Sequence, residues 1–155
     1  VNKYNAKKVV VTSDGTIFNV ADIKKYNLVI EGIQFDSEME GSYYVELLWM
    51  KRDGAITEIV CHPTYVLQDK PKITYIPDFL ITFTEGQQVA VDVKGVETST
   101  FSVKRRLFIK AFPDLELRVL TKYLGKWVPI KEVKREKAAK TRALNKMIKK
   151  ATQKG

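Results

Sequence analysis

The chain has 155 residues, 45% of them hydrophobic, which is enough for one domain with a real core and too few for two. Its formal charge is +9, but residues 131–155 hold ten Lys and Arg against two acids, so the body is close to neutral and the basic character is a C-terminal block of the kind that contacts nucleic acid. No apolar run approaches the roughly 18 residues of a membrane span, the tail has no aromatic anchor for a membrane surface, no signal segment is expected, and Cys61, the one cysteine, allows no internal disulfide; a protein of the reducing cytoplasm with no membrane partner is expected.

In chain order, "KKVVVTSDGTIFNV" predicts two short strands around the turn Ser13-Asp14-Gly15-Thr16, and "NLVIEGIQF" a further strand with a bulge or bend at Gly32. "FDSEMEGSYYVELLWMKRDG" predicts a helix. Ser37 is its N-cap, Glu40 completes a capping box, Met39, Tyr43, Tyr44, Leu47, Leu48 and Met50 lie mostly at helical spacing, and Gly54 stops it. "ITEIVCHPTYVLQ" reads as one extended segment interrupted by Pro63, and "KITYIPDFLITF" as a second that turns through Thr84-Glu85-Gly86-Gln87 into "VAVDVKG", giving a three-stranded meander. "STFSVKRRLFIKAFP" predicts a helix with Val103, Leu107 and Ala111 on one face. "LELRVLT" follows as a strand parallel to the meander, since a helix intervenes, and "KWVPI" as a short edge strand. From Glu132 to Thr152 a helix is predicted whose Leu144, Met147, Ile148 and Ala151 let its second half dock. The sum is an α/β (α+β) fold: a mixed central sheet flanked by helices, with N-terminal strands and a basic C-terminal helix as appendages.

Two acids and a lysine interrupt segments that otherwise read as buried strand. In "VAVDVKG", Val89, Val91 and Val93 alternate with Ala90, Asp92 and Lys94, so acid and amine share one face, about 7 Å apart along the strand. Asp78 ends or bends the preceding strand at Pro77, and the hairpin folds it back beside Asp92. Carboxylates brought together repel unless a cation lies between them, and hard oxygen ligands suit Mg²⁺ or Mn²⁺. Such an ion polarises a phosphodiester and acidifies water, with a lysine left to orient that water, which is the chemistry of phosphodiester hydrolysis. Glu40, in the first turn of a helix that must pack on the sheet, is the further ligand or base. Each feature alone also has a structural reading as an ion pair, a turn or a helix cap; the combination carries the argument.

Ser37-x-x-Glu40, Pro77-Asp78-Phe79 and Asp92-Val93-Lys94-Gly95 resemble the signature of the PD-(D/E)xK nuclease superfamily, with its restriction-endonuclease-like core. The blocks "FDSEMEGSYY", "HPTYVLQ", "YIPDFL" and "DVKG", followed by a basic helix and "PDLELRVL", are similar to small phage proteins of that superfamily, of the endonuclease I type of Holliday junction resolvase. The resemblance spans residues 35 to 120. It implies that Glu40, Asp78 and Asp92, with the Val93 carbonyl, bind Mg²⁺ or Mn²⁺, that Lys94 serves the attacking water, and that cutting leaves a 5′-phosphate. It also implies a homodimer acting on branched DNA in the cytoplasm of a phage's bacterial host. Asp92 stands where the resolvases have glutamate, and neither the first 35 residues nor the Lys-rich tail matches them.

On this reading residues 1–130 form the nuclease domain, with N-terminal strands in 1–35 and the catalytic core in 36–120, and residues 131–155 a basic helix or tail. The alternatives are another nuclease of the superfamily (a nickase, a repair or restriction-like enzyme, an exonuclease) and a non-catalytic basic DNA-binding protein. Lys104, Arg105, Arg106 and Lys110 on the helix after the acid-bearing strand, and Lys134, Arg135, Lys137, Lys140 and Arg142 in the tail, are the candidate DNA contacts. Glu97 is expected to be an exposed loop residue, while His62 and Cys61 are expected to be packed rather than catalytic.

Overall fold

The structure, a computed structural model, describes residues 6–152; the first five residues of the expected N-terminal segment and the last three of the tail lie outside that range. Strands β1 (Val9–Val11) and β2 (Ile17–Asn19) form the expected hairpin, followed by a short helix α1 (Val20–Lys25) and by β3 (Ile33–Phe35) on the other side of β1. Helix α2 (Glu38–Arg52) leads to β4 (Ile56–Cys61), β5 (Tyr65–Gln68), β6 (Ile73–Tyr75), β7 (Phe79–Phe83) and β8 (Gln88–Val93). Helix α3 (Ser99–Ala111), β9 (Glu116–Tyr123), β10 (Lys126–Pro129) and α4 (Ile130–Thr152) complete the chain. No helix among the described residues is long and apolar enough to cross a membrane.

The central sheet has the order β10-β9-β8-β7-β4, antiparallel except for the predicted parallel pair of β8 with β9. Helices cover both of its faces, and β8 displays the layering. Val89, Val91 and Val93 join Tyr44 and Leu47 of α2 in one core, whereas Ala90, one step out of phase, joins Phe101 and Phe108 of α3 in the other. This is the α/β class that the order of elements predicts.

The N-terminal strands are part of the main core: Val9, Val11 and Phe35 are buried with Leu47 and Phe79. Helix α2 lies so close to β1 that a Cβ on Gly41 would stand 2.6 Å from Val9 Cγ2, so glycine at this position is what admits the contact. Gly32 has the same duty. It is the expected bend, directly before β3, and there the chain passes β1 so closely that a Cβ would meet the Val11 carbonyl oxygen at 2.5 Å. Helix α1 is not foreseen from the apolar pattern because it buries none of its residues. Its signals are polar ones, an Asn19 side chain accepting from the Ala21 N–H and Lys24 and Lys25 in the last turn.

Three further expectations are corrected. The Pro63 and Pro77 segments each split into two strands: β4 and β7 stay in the central sheet, while β5 and β6 pair with each other in a separate two-stranded sheet. Proline lacks an N–H, so each ladder ends there, and the released hairpin packs on α3, with the Tyr65 ring 5.0 Å from Phe108 and 5.1 Å from Phe112. Helix α3 buries Phe101 and Phe108, backed by the partly buried Phe112, and leaves Val103 exposed; the aromatic side chains offer more apolar area than the Val103, Leu107, Ala111 row and so decide which face turns inward. Helix α4 docks through its first turn, Ile130 and Val133, while Leu144, Met147 and Ile148 are exposed. Its 23 residues run about 35 Å, and its buried side chains are confined to Ile130 and Val133.

Candidate active site

The site lies at the C-terminal end of β8. Pairing of Phe79 with Val91 sets Asp78 next to Asp92, and the strand alternation turns Asp92 away from Val91 and Val93 toward α3. Asp92 is 1% exposed. Its Oδ2 accepts a 2.5 Å hydrogen bond from the Tyr75 hydroxyl, and its Oδ1 lies 2.7 Å from Lys94 Nζ. That second contact is an ion pair without hydrogen-bonding alignment, and among the described residues Oδ1 accepts no hydrogen bond. Lys94 is fixed at both ends: its backbone N–H donates to the Leu120 carbonyl of β9 at 2.8 Å, and its ammonium lies 4.5 Å from the centre of the Phe101 ring.

Asp78 follows the fully buried Pro77, and its Oδ2 accepts the Val93 N–H at 2.6 Å. Burial first, and then the charges of Asp92 and Glu40, hold its carboxyl well above the ordinary carboxylate range, against the opposing pull of the Val93 N–H and Lys94. The Tyr75 phenol is likewise pushed up by burial and by Asp92, so it remains a proton-bearing donor.

Glu40 approaches from the other layer. Its carboxylate closes the predicted capping box, accepting from Ser37 Oγ at 2.9 Å and from the Asp36 N–H at 3.3 Å, while the Glu40 N–H donates to Ser37 Oγ. It still faces a cavity of about 570 Å³ whose wall also carries Tyr75, Asp92, Val93 and Lys94. The sequence-predicted residues are thus brought together in part. Asp78, Asp92 and Lys94 converge, Val93 forms the wall between them, and Glu40 stands on the same cavity with its carboxylate committed to the cap. Among the described residues no three acidic, His or Cys side chains form a ready-made metal cage.

The donor set nonetheless suits a hard divalent cation: the buried Asp92 and the half-buried Asp78 repel each other, and among the described residues one Asp92 oxygen accepts no hydrogen bond. Asp78 and Asp92 would hold such an ion, with the Val93 carbonyl, and with Glu40 once its side chain swings from the cap.

Two residues of the site have no signal in the sequence. Tyr75 reads as one more strand aromatic. Glu97, expected to be exposed, has a side chain only 10% exposed; its Oε1 accepts from Arg105 at 2.6 Å and its Oε2 from Lys134 at 2.5 Å, tying the loop after Lys94 to α3 and to the root of α4. A loop glutamate whose partners lie 8 and 37 positions away cannot be told from a solvated one by spacing. Two of the candidate DNA contacts take part in the same network: Arg105, largely buried, and Lys134, half in solvent, pair with Glu97. Lys104 lines the cavity, Lys137 lies 5.9 Å from the Tyr123 ring, Lys140 pairs with Glu136, and Arg106, Lys110, Arg135 and Arg142 are exposed. His62, expected to be packed, is exposed, with its ring 5.5 Å from Phe35; burial pushes the half-buried Cys61 thiol up to about 11, away from the reactive thiolate.

Replacing Glu97 with Gln removes the charge shared by Arg105 and Lys134. The expected cost is about 1–2 kcal/mol of stability, below that of a fully buried pair because Lys134 is half in solvent; urea denaturation measures it.

A sequence family covers residues 23–128, from α1 through most of β10. The chain belongs to the DUF1064 family. Its description is that of a protein of unknown function. No curated protein and no solved structure matches the chain. The family segment contains Glu40, Tyr75, Asp78, Asp92, Lys94 and Glu97, and it stops before α4 begins, so these side chains lie inside it and the basic helix outside.

Proposed function

We propose that this protein is a divalent-metal-dependent DNA endonuclease that hydrolyses phosphodiester bonds, acting on branched DNA. One observation carries the reading: Asp78, just before β7, and the buried Asp92 of β8 lie side by side, with the Lys94 ammonium 2.7 Å from Asp92 at the wall of an open cavity that Glu40 also faces. A bound Mg²⁺ or Mn²⁺ supplies Lewis acidity and acidified water at this place. The chain's own groups do the rest. Asp78 is held by the Val93 N–H and Asp92 by Tyr75, so neither carboxylate must reorganise to act, and Lys94 holds its charge where the attacking water and the developing phosphorane charge would need a donor. The resemblance to the PD-(D/E)xK signature supports the same assignment and supplies the expectation of 5′-phosphate ends.

Branched substrates and a homodimer belong together, because paired cuts across a near-symmetric junction need two sites related by a twofold axis. The short outer strands β2 and β3 leave edges on which a second copy can pair. A phage or mobile-element protein working in a bacterial cytoplasm fits this reading. A second reading, a non-catalytic DNA binder, is favoured by one observation: beyond Glu136 every described residue of α4 is exposed, with Lys137, Lys140, Arg142, Lys146, Lys149 and Lys150 among them.

The test is Mg²⁺- and Mn²⁺-dependent cleavage of a four-way junction beside matched linear, nicked and flapped duplexes. Metal-dependent cutting with preference for the junction supports the proposal. Cutting confined to the other substrates assigns a nickase, repair nuclease or exonuclease. Salt-sensitive binding with no cutting of any substrate removes the enzyme reading and leaves the binder.

A further inference from the structure

The hydrogen bond between β6 and β8 joins two elements that have no sheet in common. Tyr75 is the last residue of β6, in the two-stranded β5-β6 sheet, and Asp92 is 17 positions later in the central sheet. The phenol reaches across at 2.5 Å, with Tyr75 4% and Asp92 1% exposed. A carboxylate offers about four acceptor positions, and a buried one must find donors. Among the described residues Asp92 accepts this single hydrogen bond, on Oδ2. The other oxygen, Oδ1, is left beside Lys94 without a hydrogen bond. The Tyr75 ring is locked in turn, 5.3 Å from Phe108 and 6.2 Å from Phe101, so the hydroxyl has one place to point.

We propose that Tyr75 is a positioning residue of this site: its hydroxyl occupies one oxygen of Asp92 and turns the carboxylate so that the other oxygen alone is offered to a divalent cation. The β5-β6 hairpin, released from the central sheet by Pro63 and Pro77, then has the duty of delivering that hydroxyl. The inference rests on the nuclease reading and adds a determinant of metal affinity that lies outside the acidic set.

Tyr75→Phe removes the hydroxyl and keeps the ring. Mn²⁺ binding to the protein without DNA, followed by electron paramagnetic resonance, is expected to weaken about tenfold, the lower end for loss of a group that orients a metal ligand. The Mn²⁺ midpoint for cleavage should move by a similar factor, with most of the plateau rate recovered at saturating metal. Phe112→Leu, which loosens the same aromatic cluster through Tyr65 and Phe108 rather than at the Tyr75 ring, should leave both midpoints within about twofold of wild type. Wild-type Mn²⁺ affinity in a folded Tyr75→Phe protein would overturn the inference, and so would an equal shift in Phe112→Leu, since general packing would then be the cause. A wild-type protein that binds no Mn²⁺ and cuts no substrate strikes the nuclease reading itself, an outcome distinct from either of these.

Discussion

Replacing Asp92 with Asn, or Lys94 with Ala, is expected to lower metal-dependent DNA cleavage by at least ~10²–10³-fold, the scale of losing one preorganised charged group at a reacting centre, while DNA affinity stays within about threefold. The two substitutions fail for different reasons. Asn at position 92 is isosteric and can still accept from Tyr75, but it carries no charge to hold a cation. Ala at position 94 leaves the acids intact and removes the donor beside them. Their effects on stability should therefore diverge. Asp92→Asn relieves the repulsion that raises Asp78, and Lys94, with a side chain 18% exposed, can be hydrated once its partner is neutral, so this variant should melt at or above the wild-type temperature. Lys94→Ala withdraws the ammonium that pairs with the buried Asp92 and should melt lower. Single-turnover cleavage, equilibrium DNA binding and thermal melts of the two proteins check all four outcomes. Undiminished cleavage in both would refute the assignment of these residues.

The parts of this site visible in the sequence are those written in local periodicity. Alternation along Val89 to Lys94 places Asp92 and Lys94 on one face, and the hairpin after Phe83 returns the chain so that Asp78 comes beside Asp92; both follow from the two-residue period of a strand. The capping box at Ser37 is equally local, and it is present in detail. The same periodicity cannot say that Glu40 serves the cap in this conformation, because cap and ligand make the same demand on position 40. What is illegible depends on contacts between elements distant in sequence. The Tyr75 hydroxyl finds Asp92 only because Pro63 and Pro77 eject a hairpin from the sheet, and a proline in a strand pattern signals a break without saying where the freed piece packs. In α3 the aliphatic row and the aromatic row have comparable spacing, and the aromatic residues already in place on β5 and β6 decide between them. For α4 the apolar residues at 144, 147 and 148 promise docking, but among the described residues no element receives them.

That last point fixes how the role of the basic helix must be tested. Deletion of everything after residue 130 would remove the buried Val133 and take Lys134 from Glu97, so lost binding could be lost folding. Truncation after Glu136 keeps that root and removes only exposed helix. If the helix contacts phosphate, the truncated protein should bind duplex at physiological salt at least ~10-fold more weakly, and the slope of log affinity against log salt should flatten by about 2–4, near 0.9 per lost phosphate contact, with only some of the removed cations engaged at once. Its melting temperature should stay close to that of the full chain, because the described residues of the removed segment, 137–152, are all exposed. The candidate site should also survive, so cleavage at low salt and saturating DNA should recover toward the full-length rate. An unchanged salt slope would show that these cations do not meet DNA. A fall in rate that saturating DNA fails to restore would place the helix in the cutting step, beyond any role in affinity.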